Sequence, residues 1–329
     1  MKLSLRRFIA VLLFGVLVYG VFVAVSGYRA LGSALGSYHW LAFGAALALS
    51  SLNYLLRFAK WEYYLARLQV RGVPKWDSFL VFLSGFSLTV TPGKVGEVFK
   101  SAVLHETHGV AMARTAPIVI AERLTDVIAI VVLIVAGSAG FQGGLPWAAA
   151  GAFCVTLGVI CIAWRAPLDW LVHFMERRPG ALERLAPKAR QAVDSLRVLA
   201  SPSALLWPSF LSVVGWGLEG FSLWLIIGGF DFQVPVMLAV FFYATATLAG
   251  ALIPVPGGLG VAETLLLSQL VQLGGTPEAV ATGSMLMIRF STLWWAVLVG
   301  FTALALLRRR FPSLLRESKG ELASRAVSS

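Results

Sequence analysis

Ionisable side chains set inside apolar sequence are the groups of this chain with chemistry to offer, and they gather at two proline-glycine interruptions. The first reads Thr91-Pro92-Gly93-Lys94-Val95-Gly96-Glu97, with Lys100 one turn further on. The second reads Pro254-Val255-Pro256-Gly257-Gly258-Leu259-Gly260-Val261-Ala262-Glu263. Proline withdraws a backbone donor and glycine lets the chain reverse, so each stretch is expected to be a helical hairpin that dips into a bilayer and returns. Irregular backbone survives at membrane depth only where protein or a water-filled cavity surrounds it. A helix restarting near Val95 would aim free N–H groups and its positive end at the break, where Lys94 adds a full charge. An anion such as a phosphate suits that place. The plainer reading is a structural turn with Lys94 reaching to water.

Glu263 stands in an otherwise apolar helix, where a carboxylate costs at least ~2.5–3.5 kcal/mol unless it is protonated, paired or hydrated. Arg289 is its expected partner, because it sits about eleven residues into the last apolar span, too far from either end to reach water. Glu122, Arg123 and Asp126 form a second intramembrane cluster. Glu122 and Asp126 share a helix face, which turns Arg123 partly elsewhere, toward Glu97. Glu219 is a further buried carboxylate. Lys94, Glu97, Lys100, Glu122, Arg123, Asp126, Glu219, Glu263 and Arg289 are the residues expected to meet a substrate. Pro92, Gly93, Gly96, Pro254, Pro256, Gly257, Gly258 and Gly260 shape the two breaks. Asn53, Arg57, Lys60 and Trp61 read as an interfacial anchor, although Arg57 and Trp61 have the chemistry for lipid head groups.

The elements that hold these residues follow from composition. The chain is 58% hydrophobic and only 13% charged over 329 residues, with a mean hydropathy of +0.81, so the bilayer is its solvent. Six stretches have spanning length, at 8–27, 38–65, 114–137, 147–164, 205–229 and 278–307, and two more, at 76–104 and 236–273, are interrupted by the breaks. The expectation is an all-α integral membrane protein with six transmembrane helices and two re-entrant broken hairpins. Span, span, broken segment, span occurs in 1–140 and again in 146–310. Three crossings per half is odd, so the second half is inverted relative to the first. Interrupted helices at matching places in inverted repeats put a substrate site where the breaks meet.

Basic residues agree with that topology. Lys2, Arg6 and Arg7 precede the first span, Arg165 to Arg197 fill the central loop, and Arg308, Arg309 and Arg310 follow the last. The segments expected outside, 28–37, 137–146, 228–235 and 274–278, hold one basic residue, Arg29. Both termini are therefore expected in the cytoplasm, in the inner membrane. The 165–203 connection alternates charged and apolar residues at helical spacing, as an amphipathic helix on the cytoplasmic surface would. The tail, 311–329, is polar, rich in small residues and expected to be disordered. Residues 1–310 then make a single membrane domain.

The net charge of +11 is explained by these flanks and calls for no nucleic acid, though it would attract anionic lipid. Residues 2–27 have full spanning length and no small-x-small cleavage site, so they read as the first helix rather than a signal peptide. Cys154 and Cys161 sit one heptad apart in an apolar span and suggest no disulfide. His105-Glu106-Thr107-His108 places its histidines three apart, at a loop, which does not suit zinc. No nucleotide loop, serine elbow or dinucleotide fingerprint is present, so neither cofactor nor metal is expected.

As a set, Pro92-Gly93-x-x-Gly96-Glu97, Glu122-Arg123-x-x-Asp126 and Pro254-x-Pro256-Gly257-Gly258-x-Gly260-x-x-Glu263 resembles the flippase-like transmembrane family that includes the membrane region of lysylphosphatidylglycerol synthases, of UPF0104 type. The resemblance spans most of the chain. It implies an integral membrane domain that translocates modified lipids, with relatives linked to aminoacylated phosphatidylglycerol, polyprenyl-linked sugars or hopanoids. The 329 residues leave no room for a soluble aminoacyl-transfer domain, so stand-alone translocation is the expectation. Membrane lipids are the expected partners, with lipid-biosynthesis enzymes as candidates and the oligomeric state open. Two alternatives remain: a membrane-embedded transferase using Glu122 and Asp126, and a non-catalytic subunit of an envelope-lipid pathway whose buried charges only pair.

Overall fold

The computed structural model describes residues 17–24, 28–90, 95–138, 165–177, 181–253, 255–312 and 314, with positions 146, 149 and 153. Among these all regular structure is helical. The helices are α1 (Leu17–Ala24), α2 (Tyr28–Gly36), α3 (Trp40–Arg67), α4 (Lys75–Ser84), α5 (Val95–His108), α6 (Met112–Thr115), α7 (Pro117–Ser138), α8 (Arg165–Glu176), α9 (Ala181–Leu199), α10 (Pro202–Gly228), α11 (Val236–Leu252), α12 (Val261–Gln272) and α13 (Glu278–Arg310). All of span 147–164 except positions 149 and 153, residues 8–16 of the first span, Pro92, Gly93, Lys94, Pro254 and most of the tail lie outside the described residues.

Within the long apolar helices, Lys60, Glu122, Asp126 and Glu219 are buried while large apolar side chains face outward, as a bilayer solvent demands. α3, α10 and α13 are each long and apolar enough to cross; the 28 residues of α3 run about 42 Å at 1.5 Å per residue, more than the ~30 Å hydrocarbon core. α3 buries Ala46, Ser50, Asn53, Tyr54, Lys60, Trp61, Tyr64 and Leu65, a stripe with helical period. Leu41, Leu52 and Leu55 point outward from the same helix, as Leu206, Trp207 and Phe210 do from α10. The protein is thus embedded in a membrane through its apolar helices.

Without a hydrophobic force between helices, association relies on close approach over small residues. α3 packs most extensively on α10, α7 on α11, and α13 on α4 and the 3-10 turn Gly85–Leu88 that follows it. Gly220 lets α10 close on Val240, Gly137 lets α7 close on Phe241, and Gly300 lets α13 reach the backbone of Phe86 and Ser87. A methyl group at any of the three would collide with its neighbour.

Three apolar clusters result. One joins α10, α11, α12 and the first half of α13, and another joins the second half of α3 to α4, α5 and the end of α13. Between them Val90, Leu259, Leu293 and Val297 form a small third cluster, bordered by Tyr19 and Trp294. Val90 immediately precedes the first break and Leu259 belongs to the second, so the chain leading to the first interruption packs against the second, with Val90 also against Gly257. In the second break Gly257 and Gly258 have φ of 61° and 68°, and Gly258 in addition lies against the backbone of Gly250. Only glycine adopts that turn at low cost.

Three details depart from the sequence reading. Residues 28–36, part of a segment expected only to face outward, form the helix α2, whose direction differs from that of α1 by 91°. The expected single amphipathic helix of the connector is two helices, α8 and α9, with α9 packed on α6 and α7. His105 to His108 belong to the last turn of α5 rather than a loop.

Candidate functional site

The N-terminus of α12 begins at the second break, which puts Glu263 in its first turn. One carboxylate oxygen accepts the Gly260 amide at 2.8 Å, capping the helix, while the other accepts the Arg289 guanidinium at 2.6 Å and the Tyr19 hydroxyl at 3.4 Å. Glu263 is fully buried. Arg289 also donates to the Gly257 carbonyl at 2.7 Å, so one side chain holds both the charge and the reversed backbone of the break. Just beyond it, α13 widens into π-helix over Phe290–Trp294, and Trp294 donates to the Tyr19 hydroxyl.

The first break has a related pair. Glu97 lies in the first turn of α5, and Arg123 of α7 reaches it at 3.0 Å. Each arginine follows its glutamate by 26 positions. Here, however, Arg123 is shared, with Asp126 at 2.8 Å. Asp126 also accepts Lys60 at 2.8 Å, and both contact Ser212 of α10. Lys100 pairs with Glu122 at 2.5 Å and sits 4.6 Å above the Trp61 ring. The result is a chain of alternating charge, Glu97, Arg123, Asp126, Lys60, beside a separate Lys100 and Glu122 pair.

Glu219 sits on the seam of α3 and α10, 5% exposed. It accepts Asn53 at 2.5 Å and the Tyr243 hydroxyl. No cation lies within 4.0 Å of it among the described residues.

The geometry thus brings Glu97, Lys100, Glu122, Arg123 and Asp126 to one group and Glu263 and Arg289 to another. Glu219 stands between α3, α10 and α11. Gly96 lies in the first turn of α5, and Lys94 is outside the described residues. Asn53, Lys60 and Trp61 do not form an interfacial anchor: all three are buried, with Trp61 donating to Ser78 and Lys60 neutralising Asp126. Lys60 lies two turns from the end of α3, where a lysine can also serve as an interfacial anchor. The signal against it was the spacing of 53, 60 and 61, which aligns lysine with a polar stripe. Sequence reading also passed over Asp77, buried at the start of α4, where Arg310 at 2.5 Å clasps it to the end of α13. His105 and His108 part company, toward the Val110 carbonyl and Asp77.

The family described as the lysylphosphatidylglycerol synthase TM region matches residues 9–300. The chain belongs to that family. A UPF0104 membrane protein of Methanocaldococcus jannaschii is 21% identical over 245 residues, covering 72% of this chain and 99% of the relative. The family region ends ahead of Arg308, Arg309 and Arg310 and takes in both breaks, both glutamate–arginine pairs and Glu219.

Proposed function

We propose that this chain is a lipid translocase that moves a modified lipid, anionic, glycosylated or isoprenoid, between leaflets. The observation that carries the reading is the pair of glutamate–arginine bridges, each with its glutamate in the first turn of the helix after a break, with Val90, which precedes the first break, packed against the second. Six spans and two re-entrant hairpins in an inverted repeat account for it. Equal spacing of 26 in the two bridges supports the repeat, as does the bond between Asn53 and Glu219: their separation of 166 is also that of Glu97 from Glu263 and of Arg123 from Arg289. The reciprocal packing of α7 on α11 and α13 on α4 fits the same two-fold relation. In this reading both termini face the cytoplasm, as the basic flanks favour, in the inner membrane.

Polar groups lining a path between two rigid halves allow a head group to pass while the acyl chains stay in lipid, with each half exposing the path to one leaflet in turn. Translocation is favoured over group transfer because Glu122 and Asp126 are each bound to a lysine, leaving neither free to act as a general base. No cofactor enters the reading. Proteoliposomes holding head-group-labelled lipids test it. Wild type is expected to move at least one lipid faster than empty liposomes, with Arg123→Ala and Arg289→Ala slower. A wild-type protein that moves none of them, or one that alters a lipid covalently, overturns it.

A further inference from the structure

Four of the cations at the level of the breaks have a carboxylate at 3.0 Å or less: Lys60, Lys100, Arg123 and Arg289. Arg57 differs. It lies in the interior of α3, ten residues before the end of that helix, which is about 15 Å along the axis. Its guanidinium rests 5.3 Å from the centre of the Phe86 ring. Among the described residues no carboxylate lies within 4.0 Å of it and no protein acceptor takes its N–H donors.

A half-buried arginine at that depth is costly unless something completes it. Its surroundings are suited to a ligand. Tyr54, one turn before it, packs on Phe86 and donates to the Thr292 carbonyl in the π-helical segment of α13. Phe86 belongs to the 3-10 turn that runs into the first break. Arg57 therefore stands where α3, the first hairpin and the widened part of α13 converge. An aromatic face beneath a guanidinium leaves its planar edge for an acceptor, and that fork matches the paired oxygens of a phosphate.

We propose that Arg57 binds the phosphate of a phospholipid head group drawn into the bundle beside Phe86. The proposal deepens the translocation reading and rests on it for what the site accomplishes. An oxyanion reaches this depth most readily as part of a lipid, whose chains remain in the bilayer. The same fork would accept free phosphate, and the experiment separates the two.

The full chain, purified in detergent, is titrated with dioleoylphosphatidylglycerol, with phosphate-free dioleoylglycerol and with inorganic phosphate, and bound lipid is counted by native mass spectrometry. Phosphatidylglycerol is expected to bind wild type about tenfold more tightly than dioleoylglycerol, with millimolar inorganic phosphate leaving it in place. Arg57→Gln is expected to lose that preference and Arg57→Lys to keep part of it, a point charge without the fork. Arg309→Gln, on the exposed basic flank, reports lipid held by rim charge and is expected to behave as wild type. Equal binding of the two lipids by wild type, displacement by inorganic phosphate, an Arg57→Gln protein as selective as wild type, or an equal loss in Arg309→Gln overturns the proposal. The first two readings need no variant to fold. Lipid held through Arg57 by a protein that moves none supports this site and removes translocation; movement of lipid without Arg57-dependent binding does the reverse.

Discussion

The two breaks carry the same pair of residues and use them differently. At the second, Glu263 takes an amide, a guanidinium and a hydroxyl, Arg289 also holds a backbone carbonyl, and the glutamate side chain has no exposure. At the first, Arg123 divides itself between Glu97 and Asp126, a Glu97 oxygen and the Arg123 Nε have no hydrogen-bond partner among the described residues, and the pair is 19% and 27% exposed. A saturated pair in low dielectric resists rearrangement, whereas a shared one with idle donors can exchange partners. The second bridge is thus built to hold backbone and the first to respond.

Experiments that break this contrast can be ranked by effect. Arg289→Ala leaves Glu263 buried without its cation and frees the Gly257 carbonyl, a loss expected to reach about 3–5 kcal/mol; thermal melting of the detergent-purified protein should show the largest drop of the series. An Arg289→Ala protein that melts like wild type would refute the holding role. Next, Lys60→Met and Asp126→Asn should each destabilise, and the double variant should recover part of the cost, with a coupling of about 0.5–3 kcal/mol. Additive losses would mean that Arg123, rather than Lys60, neutralises Asp126. Gly300→Ala pushes a methyl group into the backbone of Ser87 and is expected to cost about 1–3 kcal/mol, read in the same melt. Arg123→Ala should cost less stability than Arg289→Ala, since Lys60 remains for Asp126, yet slow lipid movement more per degree of melting lost. The reverse ranking of these two arginines, in both assays, would make the first bridge the structural one.

Much of this was legible in the residues themselves. A glutamate in an apolar helix beside a glycine-rich break, and an arginine too deep to snorkel, point to each other because unpaired charge is costly in hydrocarbon. That logic reaches Glu263 and Arg289, and it turns Arg123 toward Glu97. It fails for Lys60, because a lysine near a helix end has two inexpensive solutions, water or a buried carboxylate, and the choice depends on what lies opposite. It fails for Asp77 for a related reason: the terminal arginines look like ordinary basic flanks until α13 is seen to end beside α4.

By itself the sequence determined the bilayer as solvent, the helical class, the positions of both breaks and the carboxylates that demand partners, since these depend on local composition and on the cost of burying charge. Tertiary structure alone decided which charges were satisfied. Asp126 meets Lys60 across 66 residues and Glu219 meets Asn53 across 166, while Arg57, on the same helix as Lys60 and Asn53, meets no carboxylate among the described residues. Complementarity over such separations is a property of how helices pack, and the unmatched arginine becomes visible only after its neighbours have been paired.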